Sequence, residues 1–340
     1  MLIKKLWILF FFAIFLTILF TECGNLLDPS EPGNLVPKTV DEGNSEHADH
    51  AIKFNNSIFH IETYGDSSNP VIIFLHGGPG GDFRNLLRLK DRYNNYSLTD
   101  EYYLVFWDQR GSGLSKRHNK DNLTINKYKE DGKYIIDRYS SGQKPVLIGH
   151  SWGGIYTTLL INSYPEKIKG AVFLEPGPFT GELYESIKDD LSEGNIFSEW
   201  VNDLLWSTQF LSTEDHARLD YQLMIAYKES QPSAFHLNLD KDPAPFWRAS
   251  ATANIYLQDE LDNNGKAVYD FTTNLYQFTT KVLFLASSRN ELVGKDFQEK
   301  QAKVFQNAEV KVVPDCSHNL MWTKPAETLT FIREYLNEFH

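Results

Sequence analysis

The chain has 340 residues, 41% of them apolar and 14% aromatic, enough for one large α/β domain carrying an insertion or for two ordinary domains. Its 45 acidic against 33 basic side chains leave a net charge of −12 without any dense basic patch, which excludes nucleic acid as a partner. The two cysteines, Cys23 and Cys316, sit at opposite ends of the chain and define neither a disulfide framework nor a metal-ligand spacing, and no cofactor motif is present.

Residues 1–22 read as a signal peptide or membrane anchor: Lys4 and Lys5 precede an apolar run from Leu6 to Phe20 that is short of the roughly 20 residues a spanning helix needs. The segment ending at Cys23 is similar to a bacterial lipoprotein signal, although Glu22 stands where a small residue is usual. The expectation is an exported protein, held at a membrane through its N-terminal segment or a lipid on Cys23, or else secreted. Residues 23–50 are rich in Pro, Gly, Asn, Asp and Glu and read as a flexible linker. Within them His47 and His50 could weakly hold a divalent ion, but a solvated tract is the expectation.

From Ala51 the pattern changes. Ala51–Asn55 and Ser57–Tyr64 flank Asn55 and Asn56 as a hairpin, and Val71–Leu75 is an apolar strand ending in His76-Gly77-Gly78-Pro79-Gly80-Gly81. Tyr102–Trp107 is a further strand that runs into Asp108-Gln109-Arg110-Gly111-Ser112-Gly113, and Lys127–Tyr139 is helical. Next, Val146-Leu147-Ile148 leads through Gly149-His150-Ser151-Trp152-Gly153-Gly154 into a buried helix. This strand–turn–helix context is what a G-x-S-x-G nucleophile elbow requires, with Gly149 and Gly153 letting strand and helix approach closely. A strand at Gly170–Leu174 follows. Alternating strands and helices predict an α/β fold with a mostly parallel sheet, helices on both faces and chemistry at the carboxyl ends of the strands.

The alternation stops over 178–277, which reads as a helical lid: Leu183–Leu191, Phe197–Leu211, Thr213–Glu229 and Ala249–Leu261, broken by the Pro-rich 242–245. It resumes with strands Lys281–Ala286 and Glu309–Val313 and a closing helix Pro325–Phe339, so the core comprises 51–177 and 278–340.

A serine hydroxyl is a weak nucleophile until a histidine takes its proton and a carboxylate steadies the imidazolium. Ser151 supplies the hydroxyl, and His318, in the loop after Glu309–Val313, fits the base.

The three glycine-rich motifs, His76–Gly80, Asp108–Gly113 and Gly149–Gly154, resemble those of the α/β-hydrolase superfamily, and within it the proline iminopeptidase-like serine hydrolases of peptidase family S33. The resemblance covers the chain from about residue 51 and is weak in the lid. It implies an α/β-hydrolase fold, an acyl-enzyme route without metal or cofactor, and a small-molecule or short-peptide substrate. The favoured activity is release of N-terminal residues, proline among them. An esterase, lactonase or amidase is the first alternative, and a ligand-binding protein with impaired turnover the second.

Where such enzymes carry the triad acid, after Lys281–Ala286, this chain has Asn290, beside Glu291. Some branches take the acid from the end of the strand next to the nucleophile strand, where this chain has Glu175. Glu175 is the favoured acid, and Glu291 and Asn290 are the alternatives. The resemblance also implies an oxyanion hole from the backbone N–H groups of Gly78 and Trp152, and a cis Gly78–Pro79 bond. Asp108 and Arg110 are expected to brace the loops. Lid carboxylates (Glu182, Glu185, Asp189, Asp190, Glu193, Glu199, Asp203, Glu214, Asp215) include candidates for binding a substrate amine. Trp200, Trp206, Phe246 and Trp247 are candidates for an apolar pocket wall.

Overall fold

The computed structural model describes residues 31–140, 142–188, 216–229 and 245–339. The signal segment and Cys23, the helix expected over Phe197–Leu211, and lid residues Asp189, Asp190, Glu193, Glu199, Trp200, Asp203, Trp206, Glu214 and Asp215 lie outside them.

Strands β1 (Ala51–Phe54), β2 (Ser57–Tyr64), β3 (Val71–Leu75), β4 (Tyr103–Trp107), β5 (Val146–His150) and β6 (Gly170–Leu174) are followed by the small pair β7 (Asp262–Asn263) and β8 (Lys266–Ala267), then β9 (Val282–Ser287) and β10 (Ala308–Val313). Eight of them form one sheet in the order β1-β2-β4-β3-β5-β6-β9-β10, parallel from β4 onward and antiparallel at β1-β2 and β2-β4. The β1–β2 hairpin closes through Asn55 (φ 46°) and Asn56 (φ 57°), the left-handed pair that a two-residue turn needs and that asparagine tolerates.

The central strands β3, β5 and β6 are buried throughout, as continuous apolar runs covered on both faces must be. Strand alternation divides the core: Val71, Ile73 and Leu75 face one cluster, and Ile72 and Phe74 the other. Helices α1 (Ile125–Tyr139) and α2 (Trp152–Ser163) fill the first, which also takes residues from α5 (Ala251–Leu261) and α6 (Lys295–Ala302). Leu86 and Leu89 and the helices α7 (Leu320–Thr323) and α8 (Pro325–Leu336) fill the second.

Helix α3 (Gly181–Glu185) begins two residues before the expected Leu183–Leu191 and its last turn closes at Ser186, whose N–H bonds Glu182 O; residues 189–191 of that expected helix lie outside the described residues. Helix α4 (His216–Glu229) and α5 match the third and fourth expected lid helices in their described residues. Helix α4 is joined to the body by a buried ion cluster. Asp220 on α4 accepts from Arg117 Nε at 2.8 Å and Arg248 Nε at 2.7 Å, and Arg248 also reaches Glu42 at 2.8 Å and the carbonyl of Pro37 at 3.0 Å.

That cluster corrects the linker expectation. Val36 and Thr39 are buried, Val40 N–H donates to Leu114 O at 2.8 Å, and Glu42 is an ion-pair partner, so residues 36–42 are docked on the body rather than solvated. A few well-placed anchors suffice for a short segment, and composition averages hide them.

Candidate active site

Strand β5 ends at His150, and Ser151 follows with φ 53° and ψ −119° before α2 begins. This conformation is costly for a residue with a Cβ and persists because the backbone is held on both sides. Ser151 N–H donates to Leu174 O at 3.1 Å, and Ser151 O receives Gly154 N–H at 2.9 Å and Gly177 N–H at 3.2 Å. A Cβ on Gly153 would lie 2.0 Å from Leu75 O, and one on Gly149 would lie 2.3 Å from Gly153 O. Both glycines are therefore obligatory for bringing α2 this close to the sheet.

Glu175 stands one residue past β6, with φ 42° and no solvent exposure. Its carboxylate meets four donors: Ser287 N–H and Oγ–H at 2.5 Å each on Oε1, and Asn290 Nδ2 at 2.8 Å with His318 Nδ1 at 3.0 Å on Oε2. A buried carboxylate needs such saturation. Because Oε2 can only accept from the ring, Nδ1 of His318 carries a proton and the basic lone pair is on Nε2. His318 is fixed on its other side as well, since His150 Nε2 donates to its carbonyl at 3.0 Å and the two rings lie 4.7 Å apart. His318 is thus seated against the residue that immediately precedes Ser151.

Asn290 is a neighbour of the Glu175 carboxylate. Its amide nitrogen donates to Glu175, while its Oδ1 takes the N–H groups of Leu292 and Val293 at 3.0 Å each, so it positions the carboxylate. Glu291, the alternative acid, is exposed, whereas Glu175 is fully buried.

The His76–Gly81 loop lies against the serine, for a Cβ on Gly77 would be 3.3 Å from Ser151 Cβ and 3.0 Å from His150 Nδ1. Gly78 has φ 136°, and Gly78–Pro79 is cis, as expected. Trp152 opens α2, so its N–H is one of the donors that no helical turn satisfies.

A relay missed in the sequence fixes these two edges relative to each other. Gln109 N–H donates to His76 Nε2 at 3.0 Å, Gln109 Nε2 donates to His76 O at 2.9 Å, and Gln109 Oε1 accepts from the Trp152 indole at 2.9 Å. His76 Nδ1 donates to Gly77 O at 2.7 Å, which makes the ring a neutral tautomer, and burial holds its pKa below the usual histidine value. Gln109 lay within a quoted motif; its conspicuous glycines drew attention from the side chain that does the bridging.

The bracing roles expected of Asp108 and Arg110 are seen. Asp108 accepts from Phe83 N–H at 3.1 Å and Leu114 N–H at 2.8 Å, and Arg110 forms a two-pronged pair with Asp131 at 2.6 and 2.8 Å. Among the lid acids, Glu185 accepts Ala267 N–H at 2.7 Å and is structural, and Glu182 is exposed. Trp247 packs on Phe83 and His60 instead of facing Ser151, and Phe246 is half-buried with its carbonyl bonded to Arg84 at 3.2 Å.

A strand–elbow–helix serine, a buried carboxylate–histidine pair and this strand order define an α/β hydrolase. The alpha/beta hydrolase fold family model matches residues 70–325, and the chain belongs to that family. It is 36% identical over 107 residues, 30% of this chain and 32% of the other, to a probable aminopeptidase of Bacillus subtilis. It is 23% identical over 292 residues, 80% of this chain and 86% of the other, to a proline iminopeptidase of Saccharolobus solfataricus. An esterase from Exiguobacterium antarcticum superposes with a TM-score of 0.59 at 17% identity, covering 83% of this chain and 96% of its own.

Proposed function

We propose that the chain is a serine hydrolase acting through an acyl-enzyme, with Ser151 as nucleophile, His318 as general base and acid, and Glu175 as the triad acid. The reading rests on the 3.0 Å contact between Glu175 and His318 Nδ1, in a histidine seated against the residue that precedes the strained serine. His318 Nε2 takes the Ser151 proton as Oγ attacks the substrate carbonyl, and the negative charge moves to the carbonyl oxygen. The N–H groups of Trp152 and Gly78 meet that charge, each worth about 3 kcal/mol in the transition state. His318 then returns the proton to the leaving amine, and water repeats the sequence on the ester.

The substrate reading is an aminopeptidase that releases N-terminal residues, proline among them, from short peptides, supported by the likeness to a probable aminopeptidase and a proline iminopeptidase. The export expectation belongs to the same proposal: residues 1–22 and Cys23 would place the enzyme outside the cytoplasm, and palmitate incorporation lost in Cys23→Ser tests it.

The test of substrate class is kcat/KM of the full-length chain for proline p-nitroanilide and for the same compound with its amine acetylated. Preference for the free amine supports the aminopeptidase. Preference for the blocked compound contradicts it and favours an esterase or amidase, whose chemistry uses the same groups.

A further inference from the structure

A second cluster of donor side chains lies on β2, outside the serine site. His60 and Glu62 are two residues apart on that strand and so project from the same face. The turn before β1 brings His47 over them, because Ala51 pairs with His60 across the hairpin. His47 Nδ1 lies 3.5 Å from Glu62 Oε1, His60 Nε2 lies 3.3 Å from the same oxygen, and all three donor atoms are within 4.8 Å of one another. His60 is fully buried and Glu62 is 8% exposed. His47 Nδ1 and His60 Nε2 are both out of contact with solvent and make no hydrogen bond of good geometry, sharing the one Glu62 oxygen at 3.5 and 3.3 Å. Buried polar atoms left in this state call for an explanation.

We propose that His47, His60 and Glu62 bind a divalent cation of zinc type, which fastens the segment preceding β1 to the sheet. A tetrahedral ion with bonds of 2.0–2.1 Å sets its ligands about 3.3–3.4 Å apart, close to the two short separations found here. The supporting contacts are those such ions use. His60 Nδ1 is 2.8 Å from Asp108 Oδ2, a carboxylate behind the ligand that fixes the proton on Nδ1 and turns Nε2 toward the ion. Glu62 is oriented by Tyr64, whose hydroxyl donates to Oε2 and leaves Oε1 facing the histidines. Trp247 and Phe83 wall the site, with the His60 ring 5.3 and 5.0 Å from theirs, and exclude water from the bonds. His47 is half-buried and His50 beyond it is exposed, so an ion can enter from that side and keep a water as fourth ligand.

His47 is half-buried against Glu62 and the Trp247 ring, which corrects the expectation of a solvated tract at that residue, while His50 is exposed as expected. The site's ligands escaped the spacing search because they come from two segments that only the hairpin brings together.

The test is zinc binding by the full-length chain after chelation, read by calorimetry and by the melting temperature, for wild type, His47→Ala and Glu62→Gln. The proposal expects about one equivalent bound by the wild type with a rise in melting temperature, and affinity at least about tenfold weaker in both variants with that rise abolished. Neither variant replaces the fully buried His60, and each is compared with its own metal-free melting point, so a folding defect is distinguished from a lost site. Wild-type affinity in Glu62→Gln would place the ion on the exposed His47–His50 tract and overturn the proposal. Failure of the wild type to bind zinc would overturn it as well.

Discussion

The carboxylate of Glu175 lies 3.0 Å from Nδ1 of His318 across 143 residues of chain, and it does so from the end of β6 instead of from the loop after β9. The loop after β9 contributes Ser287 and Asn290 as donors to that carboxylate. The carboxylate that meets His318 thus comes from the end of β6, and the loop after β9 supplies the donors that hold it.

Glu175→Gln replaces the carboxylate with an amide that cannot stabilise an imidazolium by charge. The expected loss in kcat is about 10³–10⁴-fold with KM little changed, by analogy with the serine-protease triad. Steady-state kinetics on any turned-over substrate reads it, and wild-type turnover in this variant would remove Glu175 from the triad.

Asn290→Asp tests which residue is the acid from the other side. A carboxylate at 290 would face Glu175 at 2.8 Å, where two like charges cannot both be accommodated, and the donor that now orients Glu175 would be lost. Turnover at neutral pH should fall at least about tenfold, since a buried hydrogen bond to a charged group contributes about 1.5–3 kcal/mol. A kcat above wild type would instead mark Asn290 as the degraded acid.

Ser151→Gly should be inactive and more stable. Its φ of 53° suits glycine, so release of the strain should raise stability by about 1 kcal/mol over Ser151→Ala, which keeps the Cβ. Denaturant melts of the two variants decide this, and an equal or lower midpoint for the glycine variant would mean that the elbow is unstrained.

The stability contributed by neutral His118 and His76 should be lost as pH drops below about 6.5. Burial, with Arg110, Lys116, His216 and Arg117 nearby, pushes His118 down to about 3, and burial also depresses His76. Between 6.5 and the folded values these rings are neutral in the native state and protonated in the unfolded one, so unfolding takes up protons and acid destabilises. His118 Nε2 is 2.8 Å from Ser57 Oγ, a contact that a glutamine can replace. Melting curves of His118→Gln across pH 5 to 7 should show the dependence reduced by about one proton; an unchanged slope would mean that His118 titrates normally.

The parts of this molecule carried by uniform runs were readable in advance. Strands β3, β5, β6 and β9 are buried along their whole length and apolar except for His150 and Ser287 at the ends of β5 and β9, and the elbow announces itself through glycines that no other residue could replace. Glu175 and His318 were legible from their places at strand ends. Side-chain direction was not: Asn290 and Glu291 are adjacent, yet one is buried against Glu175 and the other faces solvent. The docking of Val36, Thr39 and Glu42 escaped because isolated anchors leave no periodic trace. Helix α6 was missed because its buried positions include Gln298 and Gln301, whose amides serve backbone groups such as Pro176 O and Phe179 N–H. Polar residues that satisfy a neighbouring chain look the same in sequence as those that face water.

The most direct measurement is the rate at which a fluorophosphonate labels the full-length chain, with the modified residue located by mass spectrometry, for wild type, Ser151→Ala and Glu175→Gln. The account predicts a single adduct on Ser151, none in Ser151→Ala, and labelling slowed by at least about 100-fold in Glu175→Gln, because the probe needs the activated hydroxyl. An adduct elsewhere, or labelling as fast in Glu175→Gln as in wild type, would contradict it.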